Sequence, residues 1–286
     1  MDMKSKFAML ALLVVGFQMT ACTDAKEVKL DVMSFNIRLD TPIDSLNSWQ
    51  YRKDNAAKMI TYYAPDILGM QEVKLNQRDD LMERLPQYSA LGVGRDDGKE
   101  KGEFCSLFYK TERFNLLKYG NFSLSENPDS IGVKSWDSAY PRMVTWAVLQ
   151  DKTTGKKVAA FNTHFDHRGK VAQSKSAELI LTKIAEIAQG LPVVLTGDFN
   201  VIPTSEPVQH MIAGGLKNAC AEATITYGPA WSFHDYGRVP LEKRRLIDYV
   251  FTNGPVSVDK YRVISEQPDG GFLSDHAPVL ASVTLR

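Results

Sequence analysis

Cysteine is scarce in this chain: its 286 residues hold 3, too few for a disulfide framework, and one of them, Cys22, stands beside an N-terminal apolar run. Cys105 and Cys220 are left, either as a pair in an oxidising compartment or as two buried thiols. An excess of charge is missing too. Lys plus Arg and Asp plus Glu number 34 each and the pI is near 7.0, so no global field draws the chain toward nucleic acid or an anionic surface. There is no internal repeat and no low-complexity segment, which removes solenoids and linker-like chains from consideration. What is present is ordinary globular composition, 44% hydrophobic and 24% charged, over a length that suits one large core.

Residues 1–21 read as a lipoprotein-type signal peptide. Lys4 and Lys6 precede an apolar stretch from Phe7 to Phe17 that is too short to span a bilayer. Met19-Thr20-Ala21-Cys22 resembles a bacterial lipobox, with methionine where leucine is usual, and predicts cleavage before Cys22, which then carries the lipid. Residues 22–27 are a polar tether and 28–286 the folded domain. The expected location is a bacterial cell envelope, on its periplasmic side or the cell surface, with the membrane reached through the anchor at Cys22 and the chain otherwise monomeric.

Alternation from Val28 through Leu30 and Val32 predicts a strand that ends at Asn36. A helix is expected from Trp49 to Tyr63, with Ala56, Met59 and Ile60 inward and the cations Arg52, Lys53 and Lys58 interspersed, stopping near Pro65. Asp66 to Glu72 reads as a buried strand and Asn76 to Leu85 as a short helix. Strand-like segments between Tyr88 and Tyr109 flank a polar loop in which Arg95 and Glu103 sit where loop meets strand, a position for either solvent filler or the rim of a site. Further strands are expected near Arg113 to Phe122, Met143 to Gln150 and Lys157 to Asn162. The clearest helix is Val171 to Gln189, stopped by Gly190 and followed by another buried strand, a βαβ rhythm. Ser205 and Pro207 mark a capped helix start. Trp231, Phe233 and His234 fall in an irregular stretch, as pocket wall or as core, before strands at Leu246 to Thr252, Val256 to Ile264 and Pro278 to Leu285.

The strand ends carry the chemistry. Leu195-Thr196-Gly197-Asp198-Phe199-Asn200 closes an apolar run with a carboxylate and an amide two residues apart, which face one side of an extended chain while Phe199 packs away. An Asx-turn is the alternative for the same residues. The pattern recurs at Asn36, at Gln71-Glu72, at Asn162-Thr163-His164, at Asp248 and at Ser274-Asp275-His276. Polar groups at strand ends spread over so much chain point to one sheet edge collecting a constellation.

In order and approximate spacing these motifs resemble the endonuclease/exonuclease/phosphatase superfamily, from about Val28 to Arg286. The resemblance implies a four-layer α/β sandwich, two mixed β-sheets packed face to face with helices outside. It implies a divalent metal, Mg²⁺ with Mn²⁺ as substitute, held by Asn36 and Glu72 with Asp275 near it. It implies that Asp198 and Asn200 position the attacking water and a phosphate oxygen, that His164 binds or protonates the phosphoryl group, and that Asp248 accepts a hydrogen bond from His276. Hydrolysis of a phosphate ester needs a cation to offset the anionic oxygens and a base for the water's proton, and an imidazole fixed by a buried carboxylate suits the second task. Arg95, Arg142 and His167 are further substrate-binding candidates, each with a salt-bridge or solvated-turn alternative.

The expected function is therefore metal-dependent hydrolysis of a small or lipid-derived phosphate ester outside the cytoplasm. An extracellular nuclease is the alternative, less favoured because Lys243-Arg244-Arg245 is the one basic run and the chain is neutral overall. A binding protein that kept the fold without catalysis is the alternative from another class, and it predicts a lost motif residue where none is lost.

Overall fold

The computed structural model describes residues 27–286, so the signal segment, the lipobox and most of the tether lie outside the described residues. In chain order the first half runs β1 (Val28–Asn36), α1 (Trp49–Tyr63), β2 (Ile67–Val73), α2 (Leu75–Arg84), β3 (Tyr88–Leu91), β4 (Phe104–Lys110), β5 (Phe114–Ser123) and β6 (Met143–Asp151). The second half runs β7 (Lys157–His164), α3 (Lys170–Ala188), β8 (Val193–Asp198), α4 (Glu206–Ala213), β9 (Lys217–Asn218), α5 (Ala219–Glu222), β10 (Ile225–Tyr227), β11 (Asp248–Asn253), β12 (Val256–Val263) and β13 (Val279–Leu285). No helix among the described residues is long and apolar enough to cross a membrane.

The strands form two mixed sheets. One has the order β10-β12-β13-β1-β2-β4-β3 and the other β5-β6-β7-β8-β11-β9. Leu30, Val32, Ile67 and Leu107 of the first meet Val144, Phe161, Leu195 and Val250 of the second in one core. Helices α1 and α2 cover the outer side of the first sheet, where Ile60 and Leu81 join Met33, Phe35, Leu68 and Met70. On the other side Ala177, Ile180 and Ile184 of α3 and Val208 and Met211 of α4 join the larger core. This is the four-layer sandwich, and β2, β4, β7, β8 and β11 are buried along nearly their whole length because both of their faces are covered.

Polar side chains cross the dry interior at one level. The Gln71 amide donates to Asn162 Oδ1 at 2.7 Å, Thr196 Oγ1 donates to the same oxygen at 3.0 Å, and Asn162 Nδ2 donates to the Met70 and Ser106 carbonyls at 2.8 and 2.9 Å. Gly69 is required here: a Cβ would run into the Thr196 hydroxyl and stand 2.5 Å from Asn162 Oδ1. Gln71 and Asn162 share the strand-end pattern of the site residues, yet they tie sheet to sheet.

Parallel pairing joins β1 to β2 and β7 to β8, the latter through α3, as the βαβ rhythm predicts. Two local expectations are revised. Ser205 occupies the cap position of α4, but its hydroxyl donates to the Ile202 carbonyl at 2.6 Å and caps nothing. Helix α3 ends in a left-handed Gln189 (φ 49°), one residue before the Gly190 expected to stop it. Cys105 and Cys220 are both free thiols.

Candidate active site

Register alone sets the first row of groups. His164 pairs with Asp198 between the parallel strands β7 and β8, and Asp198 pairs with Asp248 between the antiparallel β8 and β11. Three polar residues at the ends of three adjacent strands therefore share one sheet edge. His276 joins from the loop before β13, its Nδ1 2.8 Å from Asp248 Oδ2 and its Nε2 3.8 Å from Asp198 Oδ2.

The first sheet supplies the facing row. Asn36 ends β1, and its amide nitrogen donates to Glu72 Oε1 at 3.1 Å and to Asp198 Oδ2 at 2.9 Å, bridging the sheets. Glu72 reaches this position because β2 breaks register between Met70 and Val73 and Glu72 takes a left-handed backbone (φ 61°), which turns its carboxylate toward the edge. The Leu39 amide donates to Glu72 Oε2 at 3.1 Å. Asp275 is held by the Ser274 hydroxyl at 3.2 Å, and that hydroxyl also donates to the Asn36 carbonyl at 2.7 Å.

Asp198 and Asn200 reach the site by a route that unites the two sequence readings. Asn200 is left-handed (φ 53°) and its amide donates to Asp198 Oδ1 at 2.9 Å, so the turn alternative is correct and the extended-chain argument is not. Phe199 packs away as expected, fully buried against Phe165, Tyr249 and Phe251. Asn200 Nδ2, which can only donate, lies 3.0 Å from His164 Nε2. The same nitrogen lies 3.5 Å from Asp198 Oδ2, so the His164 ring faces the site between the Asn200 amide and the Asp198 carboxylate.

Charge is uneven across the site. Burial, with Asp248 opposite, pushes the Asp198 carboxyl up to about 7, and burial raises Asp275 as well. Burial opposes a charged His276, but the flanking Asp248 and Asp198 outweigh it and hold the ring protonated well above its ordinary range. Burial, with Arg142 and Arg95 nearby, drives His164 well down and keeps it neutral. Ligand atoms of Glu72, His164 and Asp198 lie within 4.8 Å of one another, as do those of Asp198, Asp248 and His276. Three carboxylates outnumber two imidazoles in this set, which fits a hard divalent cation. The structure groups Glu72 with Asp198 and His164 more closely than with the expected Asp275, whose Oδ2 stands 3.9 Å from Arg38 Nε.

The three substrate-binding candidates gather at one flank. Arg142, 5% exposed, donates from Nε to Asp166 at 3.4 Å, faces His167 Nδ1 at 3.3 Å, and leaves a buried Nη1 with no partner. Arg95 is committed to a two-pronged pair with Glu103 at 2.7 and 2.8 Å. Both guanidiniums lie by the half-exposed Tyr140 ring, at 5.0 and 6.0 Å, and the His167 ring stacks with it at 5.9 Å. At the opposite flank the half-buried Phe233 ring lies 4.9 Å from His276. Tyr140 and Arg38 were not singled out by the sequence reading. The available signal was adjacency, Tyr140-Pro141-Arg142 and Asn36-Ile37-Arg38, beside residues already chosen.

Known proteins share both the pattern and the shape. The Endonuclease/Exonuclease/phosphatase family matches residues 33–276. The chain is similar to an endonuclease/exonuclease/phosphatase from Bacteroides vulgatus, at 44% identity and a TM-score of 0.88 over 91% of this chain and 100% of that one. It is similar to a mannosyl-6-phosphatase from Bacteroides thetaiotaomicron, at 36% identity and a TM-score of 0.84 over 89% of this chain and 99% of that one. It is also 24% identical over 349 aligned positions to the CCR4-Not complex 3'-5'-exoribonuclease subunit Ccr4 of Mycosarcoma maydis, covering 92% of this chain and 51% of that protein. The chain spans about half the length of the curated relatives it matches. With the family's motifs on one edge of the sandwich and its pattern running through most of the domain, the chain belongs to the Endonuclease/Exonuclease/phosphatase family, whose members are hydrolases of phosphate esters.

Proposed function

We propose that this protein is a divalent-cation-dependent phosphatase that removes phosphate from small soluble esters, with hexose phosphates as the leading class. The observation that carries the chemistry is the meeting of Asn36 and Glu72 from one sheet with Asp198, Asp248 and His276 from the other at the Asn36–Asp198 contact of 2.9 Å. The mannosyl-6-phosphatase likeness supports the substrate class.

Glu72 and Asp198, with Asp275 and His164 at hand, are the residues that would hold the cation, and Asn36, whose Nδ2 here donates to both carboxylates, would join them through Oδ1 with its amide turned. Bound there, it would offset the charge of the phosphoryl oxygens and sharpen the acidity of a water. The chain's own groups handle the proton. His276 Nδ1 lies 2.8 Å from Asp248 Oδ2, and the Asp248 and Asp198 carboxylates favour the charged ring, which supports a role as donor to a phosphoryl oxygen. With the ring charged, Asp198 is the group assigned to take the proton of the attacking water, in place of His276, to which the sequence reading gave that step. Asp248 holds the ring's orientation from behind. Arg142, with its free Nη1 and its place beside His167 at the sheet edge, supports a second charged contact to the phosphate.

One observation, taken with the proposed anchor at Cys22, favours a soluble ester over a membrane lipid. The anchor at Cys22 and the envelope location are part of this proposal, and β1 begins at the pole opposite the site. Its nine residues span about 30 Å, so a tether joined to Val28 holds the site away from its own membrane. Phosphate release from purified protein should be followed over hexose phosphates, nucleotides, an oligoribonucleotide and phospholipid vesicles, with Mg²⁺, Mn²⁺ or chelator. Release from hexose phosphates that chelator abolishes supports the reading. Preferred trimming of the oligoribonucleotide overturns it in favour of the exonuclease reading, which the Ccr4 likeness supports.

A further inference from the structure

The sequence intersperses Arg52 with Lys53 and Lys58 along α1, and the Arg52 side chain is buried, 2% exposed, with backbone carbonyls as its hydrogen-bond partners. Nε donates to Asn47 at 2.5 Å, Nη1 to Ile37 and to Leu273 at 2.8 Å each, and Nη2 to Arg38 at 3.3 Å. The Trp49 and Tyr236 rings lie 5.5 and 5.9 Å from its Cζ. These carbonyls belong to separate segments. Ile37 and Arg38 follow Asn36, Leu273 precedes Ser274-Asp275-His276, and Asn47 closes the turn whose Asp44 grips the Arg38 guanidinium at 2.9 and 3.0 Å.

We propose that Arg52 is a positioning residue for the cation site, setting the distance between the Asn36–Glu72 side and the Asp275–His276 side. The inference rests on the reading of those residues as the site of a divalent cation. Nη1 is the joint: one nitrogen bonds a carbonyl from each side, so neither segment moves without the other. The chain needs such a joint because Arg38 (φ 58°) and Ser45 (φ 51°) hold left-handed backbones that persist only where the surroundings over-determine them. Arginine fits because its planar fork presents five donors in fixed directions, whereas lysine offers one rotating head. The Ser274 hydroxyl, donating to the Asn36 carbonyl at 2.7 Å and accepting from the His276 amide at 3.3 Å, is a second and weaker tie between the same two segments.

The test compares Arg52→Lys and Ser274→Ala with the parent in the full chain. Mn²⁺ binding is read by calorimetry, alongside the thermal midpoint and the separate kcat and KM for a hydrolysed phosphate ester. Arg52→Lys should weaken Mn²⁺ binding by about tenfold or more and lower kcat with KM unchanged, and Ser274→Ala should shift Mn²⁺ binding in the same direction by less. A variant that loses thermal stability while binding Mn²⁺ as the parent does overturns the inference, because Arg52 then only supports the fold. If Arg52→Lys does not fold, Ser274→Ala decides, and parent-like Mn²⁺ binding by that variant overturns the inference. A parent that binds no Mn²⁺ overturns the cation reading itself, and this inference with it.

Discussion

The two poles of the sandwich solve the same problem in opposite ways. At the pole where β1 begins, buried carboxylates are neutralised at once: Asp66 takes Lys110 at 2.9 Å and Arg113 at 2.6 Å, and Arg113 also meets Asp151 at 3.1 Å. Burial works against the Asp151 charge, but hydrogen bonds from Thr154 and from Arg113 hold its carboxyl below the usual range. At the pole where β1 ends, Glu72, Asp198, Asp248 and Asp275 converge on two imidazoles and one shared guanidinium, Arg38, and Asp198 is pushed up to about 7. The same residue type is pulled down at one end and pushed up at the other. A fold seeking stability alone would neutralise both poles, so the uncompensated one is kept for a ligand that brings positive charge.

Breaking the uncompensated pole gives the largest effects. Asp198→Asn should lower turnover by about 10²- to 10⁴-fold, the span of a lost general base, yet raise the melting temperature of the chelator-treated protein. The sign follows from linkage: a carboxyl whose folded value lies above its unfolded one costs stability once pH passes the unfolded value, and the amide removes that cost. A metal-free melting temperature that falls would contradict the contrast between the poles. His276→Ala should lose activity over a similar range, and adding Asp248→Asn should cost far less than the product of the two single losses, since the carboxylate acts through the ring. Losses that multiply would show the two residues working independently.

Breaking the neutralised pole should look different. Asp66→Ala strands Lys110, Arg113 and the Asp31 amide, which donates to Asp66 at 2.8 Å. A loss of about 2 kcal/mol in denaturant unfolding is expected, with kcat and KM unchanged below the transition, and altered kinetics would mean that the poles are coupled. Smaller again is Glu72→Gln, which keeps the shape and removes one charge: apparent Mg²⁺ affinity should drop about tenfold, close to 1.4 kcal/mol, and unchanged affinity would remove Glu72 from the site. The remaining effect concerns pH. Burial, with His276 and Arg244 nearby, presses His234 down to about 4. Its folded value lies below the unfolded one near 6.5, so the stability it lends is whole above about 6.5 and drains as pH falls toward 4. The parent minus His234→Gln stability difference should shrink across that window, and a flat difference would refute the assignment.

Much of this was legible in the residues. The helix expected from Trp49 to Tyr63 is α1 to the residue, because a helical apolar period runs into Pro65 and nothing competes with it. The strand-end pattern was legible for Asn36, Glu72, His164, Asp198, Asp248 and Asp275-His276, because polar groups that end apolar strands must leave the core together. The same pattern misled at Asn162 and Gln71, which satisfy each other between the sheets at 2.7 Å. The role of Arg52 was not legible, because its place among lysines says nothing of the loop carbonyls that only the folded chain brings to it.

The sequence by itself determined the strands and helices, the set of oxygen and nitrogen groups available to the chemistry and the ordered motifs that resemble the family, a resemblance that in turn implies the two-sheet architecture. Only the tertiary structure decided which groups meet. Register sets His164, Asp198 and Asp248 side by side, the break in β2 turns Glu72 to the edge, and sheet-on-sheet packing sends Asn162 inward and Asn36 outward. Protonation was decided there too: His164 and His276 are the same side chain in one buried site, one neutral beside arginines and one charged between carboxylates, because charge depends on neighbours that lie far away along the chain.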